Sequence, residues 1–116
     1  LFNSSTALLY WNQDAFAKIG KNAAPKTWEE AEADMKALKA AGYDCPMAID
    51  ISADESWQLM EQFSAIHNQP IATKNNGYDG LDAELVFNKT LFVRYVGDLK
   101  RWYDAGLLKI KSPQSG

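Results

Sequence analysis

One cysteine and one histidine, Cys45 and His67, stand among 116 residues. A single thiol closes no disulfide within the chain, and one residue of each kind builds no metal cluster of standard spacing. Neither metal nor cofactor is therefore expected. Cationic residues are outnumbered, 12 Lys and Arg against 15 Asp and Glu, for a net charge of −3. Without a basic patch, nucleic acid is not an expected partner. No apolar run approaches the ~18 residues that argue for a membrane span. The motifs GxSxG, HExxH, GxxxxGK(S/T) and GxGxxG are all missing, and with them the usual carriers of hydrolase, metalloprotease and nucleotide-phosphate chemistry. The carboxylate pairs Glu29/Glu30 and Asp54/Glu55 fall in the first turns of expected helices, where capping and the helix dipole explain them. An enzyme needs a positioned acid and base, and no such pair emerges. Asn3-Ser4-Ser5 and Asn88-Lys89-Thr90 match the short N-glycosylation pattern, with a buried turn and a helix cap as their plainer readings.

What the chain does have is apolar bulk. It is 47% hydrophobic, with four Trp, five Tyr and five Phe, enough for one globular domain with a real core. Thr6 to Trp11 is apolar, aromatic and free of Gly and Pro, which reads as a buried strand. Asn3, Ser4 and Ser5 precede it. Their short polar side chains suit hydrogen bonding to a small polar ligand, or else a simple turn into the strand. Cys45 reads as a buried free thiol, or as one half of a disulfide whose partner lies outside this sequence.

The helices follow from caps and periodicity. Asn12 caps a short helix closed by Gly20, with Phe16 and Ile19 inward. Thr27-Trp28-Glu29-Glu30 matches a capping box, opening a helix that ends at Gly42. Trp28, Ala31, Met35 and Leu38 form its inner stripe; Glu29, Glu32, Asp34, Lys36 and Lys39 form its wet face, with Glu32 and Lys36 paired at i, i+4. Cys45 to Ile51 reads as a short buried strand. Ser52-Ala53-Asp54-Glu55 is a second candidate capping box, opening a helix to about Asn68 with Leu59, Phe63 and Ile66 on one face and Met60 beside them. Trp57 falls in its first turn. It is either a packing residue or a stacking platform, since an indole offers a flat apolar face and one N–H donor to a sugar or polyol. Residues 69–80 read as a turn-rich loop, with a short hairpin as an option. Glu84 to Phe87 reads as a strand, and Asn88 as the cap of a last helix whose stripe is Phe92, Tyr95/Val96, Leu99 and Trp102/Tyr103. Leu107 to Ile110 begins a further element. The fold class is α/β, helix-rich.

These segments together resemble a known family. Phe2-Asn3-Ser4-Ser5-Thr6 leading into Leu8-Leu9-Tyr10-Trp11-Asn12-Gln13-Asp14-Ala15-Phe16, then Pro25-Lys26-Thr27-Trp28-Glu29-Glu30, is similar to the family 1 extracellular solute-binding proteins of ABC importers, within the maltose-binding-protein-like superfamily. Lys74-Asn75-Asn76-Gly77-Tyr78-Asp79-Gly80 and the Phe-Asn-Ser-Ser-Thr stretch point to its glycerol-3-phosphate branch. The resemblance implies part of the second lobe of a two-lobed periplasmic binding protein (type II) fold. Residues 1–12 would be the inter-lobe crossover strand, 13–110 a partial C-terminal lobe and 111–116 a ragged end. It implies a fragment of a substrate-binding component that captures a small solute between two lobes and hands it to ABC permease membrane subunits. The location would be the periplasm, or the outer cell surface by a lipid anchor in a Gram-positive source. It also implies a ligand contact from Ser5, beside Ser4 and Asn3, and a ligand wall from Trp57.

A second wall position falls near Asp54, where the branch has Trp. A carboxylate there repels phosphate, by ~1 kcal/mol in water-like surroundings, and accepts hydrogen bonds from hydroxyls. The ligand class is accordingly sugar, polyol or glycerophosphate, leaning to the neutral ones. By the same resemblance Cys45 would pair with a later cysteine beyond Gly116. The competing readings are a fragment of a carbohydrate-active enzyme and a small helical protein-interaction module. By the resemblance, the surface left by the missing lobe would favour self-association of the fragment.

Overall fold

A computed structural model of the chain describes residues 6–51, 56–89 and 91–111. The element order is α1 (Gln13–Lys18), α2 (Trp28–Ala40), β1 (Met47–Asp50), α3 (Ser56–His67), α4 (Thr73–Asn76), α5 (Leu91–Asp104) and β2 (Leu108–Lys111). The chain is mixed and helix-rich, and it divides into two compact units. One takes in the chain to Ala7 and Ile51–Leu99; the other takes in Leu8–Asp50 and the chain from Lys100. No described helix is long and apolar enough to cross a membrane.

The unit around α2 is built from two well-capped helices. Asn12 accepts the Ala15 amide at 3.0 Å and opens α1, which meets the demand of an orphan first-turn donor. Thr27 accepts the Glu30 amide at 3.1 Å and opens α2. The Glu30 carboxylate reaches back as a capping box requires, but to the Lys26 amide at 2.7 Å, one residue before the cap. Gly42 takes φ +94, the left-handed geometry that ends a helix without a Cβ penalty. Ala15, Phe16 and Leu38 form a buried cluster, with Trp11, Ile19 and Tyr43 packed on it. Trp11 meets Phe16 edge to face at 5.2 Å. β1 and β2 pair in parallel, with Met47 opposite Leu108 and Asp50 opposite Lys111.

Two acidic residues assigned to the wet face of α2 are elsewhere. Asp34 is 3% exposed, inside the stripe it forms with Ala31, Met35 and Leu38. The four stand at i, i+3, i+4 and i+7, so helical spacing overrides the side chain's polarity, and Lys21 at 3.3 Å supplies the countercharge. Glu32 is the centre of a polar network. Arg101 donates to both its oxygens at 2.7 Å. The Trp102 indole N–H donates at 2.9 Å, and Lys36 adds an ion pair at 2.7 Å across one helical turn. Trp102 is 2% exposed and lies 5.9 Å from the Trp28 ring. The carboxylate thus supplies the one acceptor a buried indole needs.

The other unit centres on aromatic stacking. Phe63 of α3 stacks on Tyr95 of α5 at 4.2 Å and on His67 at 4.1 Å, and meets Phe92 at 5.4 Å. Burial raises the Tyr95 hydroxyl above its usual pKa. The inner face of α3 runs through Met60, Phe63, Ser64 and His67, at i, i+3, i+4 and i+7. Ile66, expected inward, falls off that stripe and is exposed. The stretch of α5 in this unit buries Phe92 and Tyr95 and leaves Val96 exposed; its last turn, in the unit around α2, buries Trp102 and leaves Tyr103 exposed.

Other expectations are corrected. Residues 6–11 form no paired strand; Leu8 is 70% exposed and Tyr10 87%. A strand is made by its partner, and among the described residues β1 and β2 pair only with each other. Glu84 to Phe87 is likewise no strand: it makes a single antiparallel bridge, Ala72 to Leu85. Asn88 lies in a turn ahead of α5, which begins at Leu91. Cys45 is exposed, not buried, with its thiol 3.4 Å from the Met47 carbonyl.

Two outcomes follow for stability. Arg101, then Lys36 and Trp102, hold the Glu32 carboxyl well below the usual carboxylate range. A depressed acid stabilises the fold above its unfolded pKa and loses that contribution as pH falls. Glu32→Gln therefore lowers stability at neutral pH by about 1.5–3 kcal/mol, the scale of a charge-assisted hydrogen bond. Urea midpoints of the two proteins should converge as pH falls below 4.5, the ordinary value for Glu; a gap that stays constant with pH would refute the assignment. Thr27→Ala removes the α2 cap and costs about 1 kcal/mol, checked by the same titration.

Candidate functional site

The site anticipated from sequence comprises Asn3, Ser4, Ser5, Asp54 and Trp57. The first four lie outside the described residues. Trp57 is described: it stands in the first turn of α3 and is 49% exposed. An indole whose partners were all core residues would be more deeply covered, as Trp102 is. About half of the Trp57 side chain is therefore covered and about half exposed.

The chain directly after Ser5 is tied to the same helix. The Thr6 hydroxyl is hydrogen bonded to the Gln62 side-chain oxygen at 3.0 Å. Gln62 is five residues beyond Trp57, about 7.5 Å of helical rise. Sequence reasoning did not single out Thr6 or Gln62. The pattern offered no signal, because a hydroxyl–amide contact across 56 positions has no local signature.

The unit around α2 contains a cavity of about 220 Å³. Its walls include Trp11, Phe16, Trp28, Met35, Leu38 and Met47. Asp34 is its charged lining residue, and that carboxylate already faces Lys21. A site for a polar solute needs several convergent polar groups; here the lining is mostly apolar, and Asn12 and Asp34 are already engaged by the Ala15 amide and Lys21. It reads as packing space and not as the solute site. Among the described residues no group of three or more His, Cys, Asp or Glu is placed to hold a metal ion.

Comparison with known proteins finds relatives for most of the chain. No family model matches it. Curated proteins do: its matched span is homologous to periplasmic solute-binding proteins. The relatives are, by name, sn-glycerol-3-phosphate-binding periplasmic protein UgpB. The one from Yersinia enterocolitica is 52% identical over 97 residues, 82% of this chain and 21% of the relative. The one from Salmonella typhimurium is 44% identical over 107 residues, 90% of this chain and 24% of the relative. The one from Shigella flexneri is 43% identical over the same length. The chain thus spans about a fifth to a quarter of the curated relatives it matches. The relatives are named as periplasmic proteins.

Trp57 should contribute most to the quenchable fluorescence of the four tryptophans, since it is exposed while Trp11 and Trp28 are partly buried and Trp102 is sealed. Trp57→Phe is expected to remove most acrylamide quenching while leaving the circular dichroism unchanged. Undiminished quenching would show that the indole is not the open one.

Proposed function

We propose that this chain forms part of the solute-gripping wall of an ABC importer's periplasmic binding protein. The observation that carries the reading is the half-open Trp57 at the mouth of α3, in a chain 52% identical over 97 residues to a glycerol-3-phosphate-binding protein. Trp57 stacks on the apolar face of the solute. Ser5, with Asn3 and Ser4 beside it, hydrogen bonds its polar end. The Thr6–Gln62 bond supports this pairing, because it tethers the residue after Ser5 to the helix that carries Trp57.

Solute capture works by closure of two lobes around the ligand, and closure is favoured only by contacts that are better in the closed state. The loaded protein then presents the solute to the permease subunits. No step is catalytic.

A glycerophosphate is the first ligand class, given the relatives' names. Asp54 favours a second, neutral sugars and polyols, if its carboxylate faces the cleft. The exposed Leu8, Leu9 and Tyr10 would drive the isolated chain to self-associate, which light scattering measures.

The binding test grafts this chain in place of the matched span of the Yersinia enterocolitica relative. Calorimetric titration with glycerol 3-phosphate, glycerol and maltose is expected to give binding to the phosphate compound, weakened at least about tenfold by Trp57→Ala, a loss of about 1.4 kcal/mol. Binding only to the neutral compounds would transfer the site to the second class. Full affinity without the indole would end the reading.

A further inference from the structure

The loop between α3 and α5 contains the chain's one Asn-Gly step, Asn76-Gly77. Its backbone is unusual. Lys74, Asn75 and Asn76 all have positive φ, at 56°, 52° and 55°, and Gly77 follows at 90°. Three successive non-glycine residues in the left-handed region are costly and persist only where surrounding bonds over-determine them. The bonds are present. The Asn76 side-chain oxygen accepts the amides of Ile71 at 2.8 Å and Ala72 at 3.0 Å. The Gly77 amide donates to the carbonyls of Thr73 and Lys74, each at 3.0 Å. The loop's neck is closed by Thr73 N to Glu84 O at 2.9 Å, Val86 N to Ile71 O at 2.8 Å and Glu84 N to the Thr73 hydroxyl at 2.9 Å.

We infer that Asn76 is a spontaneous modification site, a deamidation point that this left-handed latch keeps shut. In the reaction the Gly77 backbone nitrogen attacks Asn76 Cγ. The new N–C bond forms, the C–NH2 bond breaks, and the displaced nitrogen leaves as ammonia with the amide proton. Water then opens the resulting succinimide at either carbonyl, giving aspartate or isoaspartate. Gly77 makes the step accessible because no Cβ shields its nitrogen. In the folded loop both reactants are occupied: the attacking nitrogen is a donor to two carbonyls, and the electrophilic amide is held by two backbone donors. Ring closure therefore waits for the loop to open locally. The two products differ in effect. Aspartate keeps an oxygen that can accept from Ile71 and Ala72. Isoaspartate inserts a methylene into the main chain, so the turn cannot re-form and the Ala72–Leu85 bridge loses its closure. The latch thus converts the loop's opening frequency into a permanent change.

The test follows isoaspartate and aspartate at position 76 by peptide mapping, in mildly alkaline buffer and in concentrated urea. The native rate is expected to be at least about tenfold below the urea rate. Thr73→Val removes the hydroxyl that accepts from Glu84 and leaves the Asn-Gly step intact. It is expected to raise the native rate severalfold and leave the urea rate unchanged. The wild-type comparison stands by itself if the variant is unfolded in buffer. Equal native and urea rates would overturn the inference. So would a faster native rate, which would make the Ile71 and Ala72 amides an activating oxyanion site. A folded Thr73→Val with the wild-type ratio would overturn it too.

Discussion

The Glu32 carboxylate is the interaction on which one unit of this chain depends. It sits in mid-helix on α2 and is reached by residues about seventy positions later. Arg101 grips both oxygens and the buried Trp102 indole takes one of them. A bidentate guanidinium fixes orientation as well as distance. Because Trp102 must point its N–H at that oxygen, the end of α5 is held against α2. Leu107 and Leu108 then enter the core, and β2 falls into parallel register with β1. One carboxylate thereby links a helix, a distant helix end and the sheet.

The second unit is centred on aromatic rings. It relies on Phe63 stacked between Tyr95 and His67, with Phe92 at its edge. Such stacks give large apolar area and defined ring geometry without an unmet polar group. The helix that carries Phe63 also carries the half-open Trp57, in its first turn. A binding surface gains precision when its side chains rise from a packed helix and not from a free loop.

Local signals were legible in the sequence where they are local in physics. Asn12 and Thr27 announced their helices because a cap needs only the next three residues. Gly20, Gly42 and Gly106 marked helix ends and all have positive φ. What failed was non-local. Thr6 to Trp11 has the composition of a strand, but composition supplies no pairing partner. Glu32 and Asp34 looked wet by chemistry, and only the fold reveals Arg101 and Lys21 as their counter-ions. Ile66 was favoured over Ser64 by hydrophobicity, yet the stripe through Met60, Phe63 and His67 excludes it. Of the candidate site, Trp57 was legible from its place at a helix start, whereas the tether between Thr6 and Gln62 was not. The polar triplet Asn3-Ser4-Ser5 stood out by residue type; the family resemblance narrowed it to Ser5 and added Asp54.

In the proposed role, the Trp57 ring meets the solute while the buried Trp102 indole does not. Fluorine NMR on protein carrying fluorotryptophan, in the chimaera with the Yersinia enterocolitica relative, reads each ring separately. On adding glycerol 3-phosphate, the Trp57 resonance is expected to shift and the Trp102 resonance to stay fixed. A saturating ligand that leaves the Trp57 resonance unmoved would contradict the account.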